Sequence, residues 1–259
     1  MSAIGSLSTA LATLRAHPVI LVGGLFFVLL GELSVLLDVY LGSLTQLLVV
    51  PLWLFLTPFL LGGFVAMIHG ALEGSTSVGT FVRGGKDNYV SMLGATVVFV
   101  GILIGLSIVG TVVLIIAGAA GFAVGGGIVV VALVSVVLLV GFAVVFMFVQ
   151  FYDAAIVVSD DRAIDSFSRS VGLVSQNLAS VIGFSVVFLA LTLLGQGPGM
   201  ALYLSSVEFT QTGETVVTST STLWLSIAVT LIVGTIVTAY AYTYFVAFYT
   251  SLLEGRRND

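Results

Sequence analysis

Long apolar runs separated by short polar breaks dominate this chain. Six runs stand out: Pro18–Leu37, Leu47–Leu72, Tyr89–Gly118, Ile128–Tyr152 (apolar as far as Val158), Leu178–Leu204 and Leu223–Leu253. At 1.5 Å rise, about 20 residues cross the roughly 30 Å hydrocarbon core of a bilayer. The pattern therefore predicts an all-α fold, a polytopic bundle of about six transmembrane helices. Pro18 and Pro51 fall in first turns, where no helical N–H bond is lost, whereas Pro58 is internal and is expected to kink its helix. The breaks are a short link at Asp38–Gln46, a polar stretch at Glu73–Asn88, a glycine-rich turn at Ala119–Gly127, a polar amphipathic stretch at Ser159–Asn177 and a Ser/Thr-rich loop at Ser205–Thr222. Two segments read as interfacial helices lying on the membrane surface. One spans residues 3–15, with Ala3, Leu7, Leu11 and Leu14 on one face. The other lies in Asp160–Asn177, with Ala163, Phe167, Val171 and Val174 on one face.

Charge placement tests the layout. With six spans, both termini and the even connections share one side. Arg15, Arg83, Lys86, Arg162, Arg169, Arg256 and Arg257, all the Lys and Arg of the chain, then fall on that side. The opposite connections carry only Asp38, Glu208 and Glu214. The positive-inside rule makes the basic side cytoplasmic, so a multi-pass protein of the cell membrane with both termini cytoplasmic is expected.

Composition agrees. Apolar residues make up 59% of the 259 residues and charged residues only 7%, where soluble domains carry about 25%. Most of the exterior must face lipid, and residues 1–259 are expected to form a single transmembrane domain. The late position of Arg15 and the full-length run after Pro18 argue against a secretory signal. The absence of cysteine removes disulfides and thiolate metal sites. The net charge of −5, with a single lysine, suits a high-salt cytoplasm, or is chance in a small set of charges. No basic stripe exists to neutralise phosphates, so no nucleic-acid partner is expected.

A threefold pattern also runs through the chain. His17, Asn88 and Asn177 each precede a glycine by six residues, and Phe64-Val-Ala…Leu-Glu-Gly74 matches Phe245-Val-Ala…Leu-Glu-Gly255, with Phe148–Tyr152 aligned to the same block. Repeats at 1–74, 75–158 and 159–255 are expected, each an amphipathic segment followed by a helical hairpin. The block from Phe148 to Val158, followed by Ala163–Ser170 and Asn177, resembles the multi-span membrane family related to the glycerophosphoryl diester phosphodiesterase membrane domain, whose uncharacterised versions occur in halophilic archaea. That family is sometimes fused to a soluble phosphodiesterase, of which no trace is read here. The resemblance implies a membrane bundle and brings no catalytic residues.

Candidate chemistry is sparse. Glu32 lies about five residues past the middle of the first run, about 7–8 Å from the midplane. An intramembrane carboxylate is costly and usually faces a bundle interior or cavity. It reads either as a proton- or cation-linked site or as a hydrogen-bonded Glu near the outer edge. Gly195-Gln196-Gly-Pro-Gly199 interrupts the fifth run; unwound backbone there would build a midplane site around Gln196, as in transporters with broken helices, and a mere kink or an early helix end is an equal reading. His69 and Asp153 occupy equivalent repeat positions at the cytoplasmic edge, with Thr250 third. They read as a cluster or simply as interfacial polar residues, and fall short of a zinc ligand set. Gly101-x-x-x-Gly105 suggests close helix packing, within the chain more than between chains. No catalytic residues, cofactor or metal are expected.

The few intramembrane polar residues favour a non-enzymatic scaffold or subunit of a larger membrane assembly, with the lipid bilayer and a membrane protein as partners. The alternative is a small-solute or lipid-like permease using Glu32 and a broken fifth span. A permease requires a cavity lined by Glu32 and Gln196; a scaffold requires a tightly packed interior.

Overall fold

The computed structural model describes residues 3–42, 45–123, 125–210 and 215–258. It is helical almost throughout, with α1 (Ala3–Ala16), α2 (Ile20–Leu41), α3 (Thr45–Leu72), α4 (Val78–Asp87), α5 (Tyr89–Ala123), α6 (Gly127–Val149), α7 (Tyr152–Ser159), α8 (Ala163–Gln176), α9 (Leu178–Ser206), α10 (Thr220–Val229) and α11 (Thr235–Asn258). Six helical stretches are long and apolar enough to cross a membrane: α2, α3, α5, α6 with α7, α9, and α10 through α11. A membrane protein built as an all-α bundle follows from these lengths. Strands β1 (Val207–Phe209) and β2 (Thr215–Val217) pair antiparallel in the connection read above as a loop. Glu214 of that loop lies outside the described residues.

Three short helices, α1, α4 and α8, each precede two long ones. They are docked on the bundle. Part of each face read from sequence packs inward: Ala3, Leu7 and Leu14 of α1 lie against the core, and Phe167 and Val174 of α8 are buried. On α1 the buried residues are Ser6, Ala10 and Thr13, while Leu11 is exposed. On α8 they are Ser166, Phe167, Ser170, Leu173 and Val174, while Val171 is exposed. Small side chains let helix backbones approach closely in an apolar medium, where burying leucine instead of leaving it in lipid gains little. Tyr240 Oη donates to the Leu7 carbonyl at 3.2 Å, fastening α1 to α11. The α3–α4 contact uses the same device. A Cβ on Gly84 would lie 2.2 Å from Ala66 Cβ, and one on Gly63 would lie 2.6 Å from the Phe81 carbonyl.

The fifth span is not broken. Helix α9 runs unbroken from Leu178 to Ser206 with Pro198 inside it. Gly195 and Gly199 serve packing: a Cβ on Gly199 would lie 1.9 Å from Thr230 Oγ1. The irregularities sit elsewhere. The sixth span loosens into a π turn at Thr230–Gly234, and the fourth breaks at Gln150–Phe151, between α6 and α7. Ser170 bridges that break, accepting from the Phe151 N–H at 3.1 Å and donating to the Phe148 carbonyl at 2.7 Å. Helix α3 passes through Pro51 and Pro58 without interruption.

The bundle has two unequal parts. Helices α2, α3, α9 and α10–α11 surround one interior, whose end nearest the short helices is filled with aromatic rings, among them Phe184 stacked on Phe248 at 4.5 Å. Helices α5 and α6 pair with each other and join the rest mainly through α3, α7 and α8. No residue from Ile128 to Phe148 is buried.

Candidate functional site

Helix α2 extends to Leu41, past the Asp38 at which sequence reading ended it. Two consequences follow. Glu32 now lies less than two residues from the middle of the helix, about 2 Å along its axis, closer to the middle than the first apolar run placed it. Asp38 joins the last turns of the same helix, on a face with Gly31, Ser34 and Val35. That spacing of three and four residues was present in the sequence, but an assumed link at Asp38 hid it.

Around this face lie two adjoining cavities. The central one, of about 380 Å³, is lined by Glu32, Trp53, Thr57, Gln196, Thr230 and Tyr242 among others. The second, of about 360 Å³, is lined by Glu32, Asp38, Thr45, Gln196, Tyr203 and Thr230 among others, and lies toward the end bearing β1 and β2. Gly31, Glu32, Gln196 and Thr230 belong to both, so the predicted pair of polar residues stands where the two cavities meet. The structure supplies the third member, Thr230. It lines both cavities beside Glu32, and its hydroxyl donates to the Ser226 carbonyl at 2.9 Å. It opens the π turn, a widened turn that often marks functional positions in helices. Threonine in an apolar helix gives no sequence signal of this kind, since Ser and Thr hydroxyls commonly bond their own helix.

A third cavity of about 400 Å³ lies toward the basic end, lined by Gln150, Asp153, Ser185, Tyr152 and Phe146 among others. It shares Leu61, Phe188 and Tyr242 with the central cavity. These three side chains form the partition. Tyr242 stacks on Phe27 at 5.6 Å and meets Phe188 edge-on at 6.3 Å. Asp153 is buried in the first turn of α7, where a carboxylate complements the helix dipole, and its Oδ1 accepts from the Ala154 N–H at 2.8 Å. Gln150 joins the fourth span to the fifth, donating to Ser185 Oγ at 3.2 Å.

His69 stands apart. Its Nε2 faces Glu73 Oε1 at 3.5 Å, and among the described residues no hydrogen bond links it to Asp153. Thr250 donates to its own helix at Ala247. No group of three or more His, Asp or Glu able to hold a metal ion occurs among the described residues. At the basic end, outside the spans, Arg169 forms a two-pronged ion pair with Asp161. The hydrogen bonds it donates to Asp161 hold the guanidinium above its usual range, so it is charged at any accessible pH.

The geometry thus comprises three cavities in file, each carrying a carboxylate. A sequence profile for a domain of unknown function, DUF7847, matches residues 1–252. The chain belongs to the DUF7847 family. No match was found among curated proteins, and none among solved structures. The DUF7847 description assigns no activity, and it is silent on the resemblance to the glycerophosphoryl diester phosphodiesterase membrane domain.

Proposed function

We propose that this membrane protein is a permease whose path runs between α2, α3, α9 and α10–α11. The observation that supports this reading is the file of cavities, with Glu32, Gln196 and Thr230 at one junction and Leu61, Phe188 and Tyr242 at the next. A scaffold gains nothing from leaving polar groups around unfilled space at mid-membrane, where each unmatched group is expensive. The aromatic partition is the closed gate, and the π turn and the break before α7 are the flexible joints beside it. Cavities near the midplane flanked by irregular helices are how many transporters build their sites. Scaffolding of a larger assembly is the second reading, favoured by the docked helices α4 and α8.

The absence of cysteine makes the test direct. Cysteines are introduced singly at Thr57 and Thr238 in the central cavity and at Ser185 in the third, and vesicles of both orientations are treated with a small charged thiol reagent. A permease should expose Thr57 and Thr238 from one side, and Ser185 from the other. Silence at all three from both sides would leave the scaffold. Cysteines at Ser75 and Glu208, exposed at opposite ends, fix the orientation in the same experiment. With both termini cytoplasmic, the reagent applied to intact cells labels Glu208→Cys only.

A further inference from the structure

The same cavities carry an inference about what passes through them, and it rests on the permease reading. We infer that the path takes a lipophilic organic cation with a single positive charge, an amine or onium ion bearing apolar groups.

Charge is the first argument. Asp38 and Glu32 line the second cavity, Glu32 the central one and Asp153 the third; no Lys, Arg or His lines any of them. A negatively charged solute would meet a carboxylate at every stage with no compensating group, in a medium where such repulsion is poorly screened. The salt bridges among the described residues lie elsewhere, at His69–Glu73 and Arg169–Asp161. The carboxylates along the path therefore have no cationic side chain to neutralise them.

The lining indicates what kind of cation. Hard inorganic ions require closely spaced oxygen ligands, six to eight for calcium, or rings of carbonyls. Here each cavity supplies one or two carboxylates against rings: Phe27, Trp53, Phe188 and Tyr242 around the central cavity, with Phe99 and Phe146 added at the third. Faces of Trp, Tyr and Phe attract organic cations, best when water is excluded. The central volume of about 380 Å³ falls within the range of small-molecule sites, about 300–1,000 Å³. Thr57 Oγ1, on the same wall, is buried without a hydrogen-bond partner among the described residues. It is a polar atom left for a guest to satisfy.

Access supports the apolar part of the assignment. Thr192 and Gln196 of α9 and Trp53 of α3 border the central cavity and are exposed. The cavity is therefore open at its side, where a solute dissolved in the bilayer can enter. Trp53 is held at that rim by donating from Nε1 to Ser34 Oγ at 2.8 Å.

The test uses the full chain in detergent with radiolabelled tetraphenylphosphonium. Two probes of similar build are measured separately: the neutral triphenylphosphine oxide and the anionic tetraphenylborate. Saturable binding of the phosphonium is expected, with at least tenfold weaker affinity for the other two. Glu32→Gln should lower phosphonium affinity at least tenfold, while Glu32→Asp, which keeps the charge, should recover most of it. In a Trp224→Phe background, Trp53 is the sole tryptophan, and its fluorescence should change on phosphonium binding with the same affinity. That readout keeps the test decisive should Glu32→Gln fold poorly. Equal binding of all three probes, or phosphonium binding that leaves Trp53 unchanged, overturns the inference. Phosphonium binding that depends on Glu32, with cavity cysteines silent from both sides, would uphold the cation site while removing the permease. Reactive cavity cysteines without phosphonium binding would do the reverse.

Discussion

The two parts of this bundle are both strongly apolar and do opposite things. In α5 and α6 the outer faces are Val, Ile, Leu and Phe, the polar side chains are few, and no residue from Ile128 to Phe148 is buried. In α2, α3, α9 and α10–α11 the helices close on one another through Gly24, Gly195 and Gly199, and the space left among them is lined by Glu32, Gln196, Thr57 and Thr230. Hydrophobicity distinguishes neither part, since lipid and protein interior are equally apolar. Small residues set where helices meet, and polar residues set where the interior remains unfilled. The hairpin α5–α6 is held at its base, by α8 and the break before α7. Its free length is an arm in lipid, and the four-helix part is the working body.

The sharpest way to break that contrast is to overfill a contact in the body. A Cβ on Gly24 would lie 2.8 Å from the Thr235 carbonyl and 3.1 Å from the Ala239 nitrogen. Both are backbone atoms next to the π turn, so neither can rotate away. Gly24→Val should lower stability by about 1–3 kcal/mol, the usual cost of overpacking. The thermal unfolding midpoint in detergent should fall, and cavity cysteines should become reactive without regard to side. An unchanged midpoint would mean that α2 and α11 separate freely in the membrane.

A second substitution tests the fastener between the two parts. Ser170 Oγ accepts from the Phe151 N–H and donates to the Phe148 carbonyl across the break in the fourth span, and it is fully buried. Ser170→Ala removes both bonds and leaves the Phe151 N–H buried and unmatched, at about 1–3 kcal/mol. Because the break adjoins Asp153 and the third cavity, amide exchange should rise locally, from Met147 to Ala155. Exchange confined to the hairpin tip near Gly125 would show that α8 does not anchor the arm.

How far the sequence could have led follows from the same physics. The six spans were legible because a bilayer demands a length of apolar residues that nothing else explains. Glu32 and Gln196 were legible as polar residues in apolar runs, but that they line the same two cavities was not, since no periodicity relates two helices so far apart in sequence. Asp38 was missed because a charged residue at a membrane edge looks like the end of a helix. The docking faces of α1 and α8 were legible in part: Leu7, Leu14, Phe167 and Val174 do pack inward, while the small residues buried beside them carry no apolar signal. Ser6, Ala10, Ser166 and Ser170 follow the helical period equally well. A break and a plain kink in the fifth span were equally readable from Gly195 to Gly199, because Gly and Pro break helices in water. In a membrane bundle, Gly195 and Gly199 instead admit Val237 and Thr230, and Pro198 is tolerated when neighbours stabilise the helix.

The smallest expected effect lies in the arm, at the motif that looked most like a packing seam. A Cβ on Gly101 or Gly105 would have nothing within 4 Å. The close-packing role read from their spacing is therefore not used within the chain. Alanine is the better helix former by up to about 1 kcal/mol per residue in water, and here it would meet no obstacle. Gly101→Ala with Gly105→Ala should leave the unfolding midpoint unchanged or slightly raised, and should leave phosphonium binding and cysteine reactivity as in the parent. Set beside Gly24→Val, the pair asks the same chemical question at two places in one molecule: what happens when a glycine of a membrane helix gains carbon. A large loss at Gly24 and none at Gly101 and Gly105 marks the body as packed and the arm as free. A loss of stability in the arm, or a shift toward smaller particles on size-exclusion chromatography, would mean that another surface covers α5 in the membrane, and the distinction between arm and body would fall with it.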